Sequence, residues 1–140
     1  MTPERIDEEL ATGHFNSMNY MAMQGYDQKA RVPEVERAVE LSRGLLRKGS
    51  NPARRLLLAR SLDAFGGCLW ILARFTPNER SALLRRGLDA TRESLDLYSA
   101  LQSEKVSTEE VAAYARSARL RVANIQARLA QVSPAVSSRQ

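Results

Sequence analysis

One cysteine, one histidine and one tryptophan in 140 residues set the first limits on what this chain can do. A lone cysteine, Cys68, cannot close an internal disulfide, and a zinc site needs several thiolates or imidazoles. His14 has no second histidine at helical spacing, so it reads as a helix-surface residue rather than a ligand or a base. The Glu-x-x-His pairs of di-iron bundles are missing. So are the phosphate-cradling G-x-x-x-x-G-K-[ST] loop and the G-x-G-x-x-G turn. A nucleophile triad would need a second histidine or an unusual base. No enzyme chemistry, no catalytic residue, no cofactor and no metal are therefore expected. Cys68 lies in the run Phe65-Gly66-Gly67-Cys68-Leu69-Trp70-Ile71-Leu72, where a thiol behaves as a small buried hydrophobe. An unpaired thiol of this kind suits a reducing compartment.

Long apolar runs are also scarce. No stretch approaches the roughly 20 apolar residues that span a bilayer, and the opening Met1-Thr2-Pro3-Glu4-Arg5-Ile6-Asp7-Glu8-Glu9 is acidic where a secretory signal is basic. The expectation is a cytoplasmic protein with no membrane segment. Seven glycines, five prolines and an aromatic content of 6% argue against a strand-rich fold. Alanine, leucine, arginine and glutamate, which keep most of their side-chain freedom in a helix, dominate instead.

Apolar spacing gives about five amphipathic helices, and the short connections between the later ones predict antiparallel neighbours. Thr2-Pro3 opens a first helix that runs toward Gly25. A second starts near Pro33 and ends at a C-cap, Gly49, with Val35, Val39, Ser42 and Leu46 on its seam. Asn51-Pro52 opens a third, continuing to about Arg74 with Leu58, Leu62, Phe65, Leu69 and Leu72 in register. Gly66-Gly67 in its middle costs roughly 1 kcal/mol per glycine relative to alanine, so packing should repay it. Thr76-Pro77-Asn78-Glu79 reads as N-cap, first helical position and capping box for a fourth helix through Leu84, Leu88, Thr91, Leu95 and Tyr98 to Gln102. Ser107 caps a fifth, carrying Val111, Ala115, Ala118, Val122, Ile125 and Leu129, which Ser133-Pro134 should stop. A single helical domain over 1–132 and a disordered tail over 133–140 follow.

A shift of 56 residues aligns Arg37-Ala38-Val39-Glu40-Leu41-Ser42 with Glu93-Ser94-Leu95-Asp96-Leu97-Tyr98, and Leu58-Ala59-Arg60-Ser61-Leu62 with Tyr114-Ala115-Arg116-Ser117-Ala118. The run Ser61-Leu62-Asp63-Ala64-Phe65-Gly66-Gly67-Cys68-Leu69, with Ala82-Leu83 leading to Glu93-Ser94-Leu95-Asp96-Leu97-Tyr98-Ser99, resembles the helix pair of longer tetratricopeptide (TPR-like) repeats. The resemblance covers residues 33–131. It departs from the family in its longer helices, in a period above the common 34 or so, and in Val122 where the first copy has Gly66. It implies a stack of helical hairpins whose concave face binds a peptide or a partner domain; a closed helical bundle shares the same amphipathic pattern.

Two groups of residues are candidates for contact with partners. Phe15, Met18, Tyr20 and Met21, together with Trp70, are candidates for a protein interface, because methionine and aromatic side chains repack around a partner. A protein partner or self-association to a homo-oligomer is the leading expectation. The alternative follows from charge: residues 1–50 carry a net −1 and residues 51–131 a net +5, mostly arginine. Arg85, Arg86, Arg92, Arg116, Arg119, Arg121 and Arg128 could together form a sequence-nonspecific nucleic-acid surface. No helix-turn-helix supports it, since Tyr114-Ala115-Arg116-Ser117 carries the helix through where a turn is needed.

Overall fold

Asn51 supplies the kind of chemistry that organises this fold. Its backbone is extended (φ −147°, ψ 164°), and its side-chain oxygen accepts the Arg54 amide at 2.8 Å with Pro52 at the first helical position. The computed structural model describes residues 28–104 and 108–137, with side chains over 29–104 and 108–132. Among these residues the only regular structure is helical, which makes the fold all-α. The order is α1 (Gln28–Lys48), α2 (Pro52–Phe75), a 3-10 turn (Pro77–Glu79), α3 (Arg80–Ser103) and α4 (Glu109–Ser137). The helix expected over residues 2–25, with His14, Phe15, Met18, Tyr20 and Met21, lies outside the described residues.

Four boundaries differ from the sequence reading. Helix α1 begins five residues before Pro33 and contains it. Pro33 is the sixth helical residue, past the orphan amides of the first turn, so it gives up the one bond its amide would make to the Lys29 carbonyl. Gly49 does not take up the left-handed backbone of a C-cap glycine; its amide continues the helical pattern to the Leu45 carbonyl at 3.2 Å. Thr76 caps no helix start. Its hydroxyl turns back to the Leu72 carbonyl at 3.0 Å, and Arg80 Nε donates to Ala73 at 3.0 Å, so both serve the orphan carbonyls ending α2. Helix α4 passes through Pro134 to Ser137, proline losing a single bond near the helix end. At its start Thr108 Oγ1 accepts the Val111 amide at 3.2 Å and Glu110 accepts the Tyr114 hydroxyl, while the cap expected at Ser107 lies outside the described residues.

The core follows the predicted seams. Val35, Ala38, Val39 and Leu45 of α1 pack on α2, and Leu58, Leu62, Leu69 and Ala73 of α2 are enclosed between α1 and α3. Tyr98, fully buried, lies with Ala59, Leu101, Val111, Ala115 and Ala118 where α4 closes over α3. Among the described residues the four buried serine and threonine hydroxyls all have partners. Ser42, Ser61 and Thr91 donate to the carbonyl four residues back, at 2.7, 2.8 and 2.7 Å, and Ser94 donates across the interface to Ala59 at 2.8 Å.

Helix α2 meets both α1 and α3 along its length, but α2 and α4 hardly touch through their backbones. By length and composition α2 is apolar enough to cross a membrane, which the sequence reading did not credit to any stretch. Here Leu58, Ala59, Leu62, Gly66, Leu69 and Ala73 spend that apolar face on its neighbours. The two mid-helix glycines have different reasons. Gly66 sits where a Cβ would come within 2.2 Å of Thr91 Oγ1 and 3.0 Å of the Gly87 carbonyl, and Gly87 faces the Gly66 carbonyl in return. Packing repays Gly66. A Cβ on Gly67 would meet only the Arg121 guanidinium at 3.5 Å, an ordinary contact, so the fold does not need that glycine.

Candidate functional site: an arginine-rich groove between α2 and α4

The sparse contact between α2 and α4 leaves a seam, and the side chains along it are unlike those elsewhere. On α2 the residues lining the seam are Arg60, Asp63, Ala64, Gly67, Trp70, Ile71 and Arg74; on α4 they include Tyr114, Arg121, Asn124 and Arg128. Seven-residue steps recur: Arg60, Gly67 and Arg74, then Tyr114, Arg121 and Arg128. Seven residues are close to two full helical turns, so each series stays on one side of its helix.

A cleft of about 270 Å3 opens at one end, lined by Arg31, Arg60, Asp63, Gly67, Tyr114 and Arg121 among others. Arg121 reaches from α4 to α2, donating to the Asp63 carboxylate and to the Asp63 backbone carbonyl at 3.1 Å. The Tyr98 hydroxyl reaches the same carboxylate at 3.4 Å. Arg60 stacks over the Tyr114 ring, 4.8 Å from its centroid, and Tyr114 in turn lies 5.6 Å from Tyr98. A shallower cleft of about 240 Å3 follows along the seam, lined by Trp70, Asn124, Ala127, Arg128 and Gln131. Here the indole is bracketed by two guanidiniums, Arg74 at 5.4 Å and Arg128 at 5.9 Å. Such cation–π contacts hold arginine at a fixed place while leaving its N–H edge for an anion.

Burial shifts the titratable groups of the seam. Burial pushes the Asp63 carboxyl above its ordinary value, against the opposing pull of Arg121 and the Tyr98 hydroxyl. Burial likewise raises the Tyr98 phenol, with the Asp63 charge adding to the effect. The Cys68 thiol is raised by burial, with Arg31 and Arg121 opposing. It is 2% exposed and packs on Val35 and Ala38, as its apolar setting in the sequence implies. Among the described residues no group of histidine, cysteine or carboxylate could hold a metal ion.

The residues singled out from the sequence are distributed unevenly. Trp70 lines the seam. Of the seven arginines, Arg121 and Arg128 join it, whereas Arg86 turns to the α1 side, 3.4 Å from Glu36 and over the Phe65 ring. Arg85, Arg92, Arg116 and Arg119 are exposed, and at 100° per residue Arg116 and Arg119 fall on the flank of α4 opposite Arg121. The sequence reading missed Arg60, Asp63, Gly67, Arg74 and Tyr114. Their signal was the heptad recurrence of large polar residues beside the core seam, visible only once the seam's own phase is known. Comparison of the chain with protein families, with characterised proteins and with solved structures returns no match.

Proposed function

We propose that this is a non-enzymatic protein-interaction module, an adaptor or small regulator that binds a partner protein along the α2–α4 groove. The observation that carries the reading is the pairing of aromatic rings with guanidiniums in that groove, Arg60 on Tyr114 and Arg74 and Arg128 on Trp70. Tryptophan, tyrosine and arginine are the residues that dominate protein interfaces. The side chains there serve binding rather than turnover, because Asp63 is engaged by Arg121 and Tyr98 and the Cys68 thiol is buried.

The architecture belonging to this reading is a pair of antiparallel hairpins, α1–α2 and α3–α4, of the tetratricopeptide-like kind. Val35 and Ala38 meet Cys68 while Val39 meets Leu58 and Leu62, so contacts step in opposite senses along α1 and α2. The 56-residue shift supports the repeat: Val35, Ala38, Ser42, Leu45, Ala59, Leu62 and Leu69 are buried, and so are Thr91, Ser94, Tyr98, Leu101, Ala115, Ala118 and Ile125. A cytoplasmic setting goes with the lone thiol.

Selection of peptides from a random display library on the immobilised full chain tests the proposal. Enriched peptides should bind the chain and lose binding to the Trp70→Ala and Arg128→Ala variants, and sedimentation velocity distinguishes self-association. Anisotropy titrations of single- and double-stranded oligonucleotides across a salt series cover the alternative. Tight binding with a steep log–log salt slope, together with no groove-dependent peptide, overturns the reading.

A further inference from the structure

The cations of the groove have a spacing, and spacing is a statement about the ligand. Arg121 and Arg128 stand seven residues apart on one flank of α4, about 10.5 Å at the helical rise of 1.5 Å per residue. Arg74 reaches the same indole as Arg128 from the α2 side. Beside Arg121, Gly67 leaves the floor without a side chain, the guanidinium lying 3.5 Å from where a Cβ would stand. The anionic group facing them along the stripe is Asp63, and it is drawn onto Arg121.

Resting on the protein-binding reading above, we infer that the α2–α4 groove receives an acidic helix of a partner protein, with carboxylates seven residues apart that meet Arg121 at one end and the Arg74–Arg128 pair at the other. A helix laid along the seam presents side chains at the same two-turn interval as α2 and α4 themselves. Its carboxylates take the N–H edges of guanidiniums already fixed on Trp70 and Asp63. The binding helix competes with Asp63 for Arg121, an exchange of one carboxylate for another. A nucleic-acid backbone fits less well. Its unbroken row of phosphates would run past the Asp63 carboxylate, and Arg121 is only 29% exposed, whereas phosphate tracking uses open cationic surfaces.

The test is fluorescence anisotropy with the full chain and two labelled alanine–glutamine helices of about 18 residues, long enough to be helical. One carries two glutamates seven residues apart, the other the same glutamates four apart. The seven-spaced peptide should bind at least about tenfold more tightly, and Arg128→Gln and Arg121→Gln should each weaken it by about tenfold, the scale of one charge-assisted hydrogen bond. Asp63→Asn should tighten it. Arg128 stacks on Trp70, and circular dichroism checks that both the Arg128→Gln and the Arg121→Gln chains keep their helices. Equal binding of the two peptides, or an Arg128→Gln variant that binds as the parent does, overturns the inference. If library-selected peptides bind through the groove while neither glutamate helix does, the inference falls and the protein-binding reading stands. If no peptide binds and oligonucleotides do, both fall.

Discussion

Adding one methyl group at position 66 and the same methyl group at position 67 should have opposite effects. Both glycines are interior to α2, so alanine gains each about 0.5–1 kcal/mol of helix propensity. At Gly67 nothing opposes the gain, since the new Cβ stands 3.5 Å from the Arg121 guanidinium. At Gly66 the Cβ would lie 2.2 Å from Thr91 Oγ1 and 3.0 Å from the Gly87 carbonyl oxygen. The threonine hydroxyl is buried and committed to that same carbonyl at 2.7 Å. It cannot swing aside without leaving its own buried hydroxyl unpaired, so α2 and α3 must separate. Overpacking of this kind costs about 1–3 kcal/mol, and separation also strains the Ser94–Ala59 hydrogen bond. The net expectation is Gly67→Ala stabilised by about 0.5–1 kcal/mol and Gly66→Ala destabilised by about 2 kcal/mol. At roughly 3–4 °C per kcal/mol for a chain of this size, their melting temperatures should differ by about 10 °C. Thermal and urea melts followed by circular dichroism read the difference. Gly66→Ala combined with Thr91→Ala should recover part of the loss, because the nearest clash is gone and only the Gly87 carbonyl remains. Equal melting temperatures for the two alanine variants, or a Gly66→Ala more stable than Gly67→Ala, would refute the close approach of α2 and α3.

Other expectations follow from the same contacts. Ser94→Ala deletes the buried hydrogen bond from the α3 hydroxyl to the Ala59 carbonyl of α2 and should cost about 1 kcal/mol in urea melts; an unchanged midpoint would remove that bond from the account. Asp63 has a folded-state pKa above its ordinary value, so the folded chain holds this proton more tightly than the unfolded chain does. Its contribution to stability is therefore fully present below pH 3.8 or so and is lost as pH rises through the raised value. Asp63→Asn should accordingly gain stability relative to the parent between acidic and neutral pH, and a pH-independent difference in urea midpoints counts against the burial of that carboxyl. The Cys68 thiol, raised by burial and 2% exposed, should react with a disulfide reagent at pH 8 far more slowly in buffer than in denaturant; equal rates would place it at the surface.

How far the sequence carries the structure can be judged residue by residue. The seams Leu58–Leu62–Leu69 and Leu84–Leu88–Thr91–Tyr98 were legible, because a 3.6-residue period with apolar side chains has one solution. Asn51-Pro52 was legible for the same local reason. Thr76 was not: its hydroxyl can accept for the helix ahead or donate to the helix behind, and the carbonyls left open at the end of α2 decide. Gly66 and Gly67 look alike in sequence, and only the position of α3 tells them apart. The candidate groove was legible through Trp70, Arg121 and Arg128 alone. Net charge counts arginines without assigning them to a face, so Arg86 and Arg121 were grouped although one turns to Glu36 and the other to Asp63.

The unequal attachment of the four helices has a mechanical consequence. Helices α2 and α3 are joined at backbone distance through Gly66 and Gly87 and by the Ser94 hydroxyl, and they form the stiff spine of the molecule. Helix α4 is seated on α3, and its link to α2 is made by side chains, the Arg121–Asp63 clasp and the stacks of Arg60 on Tyr114 and Arg128 on Trp70. The width of the seam is thus set by a latch rather than by a weld. Amide protons of α2 and α3 should be the last to exchange with solvent and those of α4 among the first, so that opening of α4 sets the pace at which anything enters or leaves.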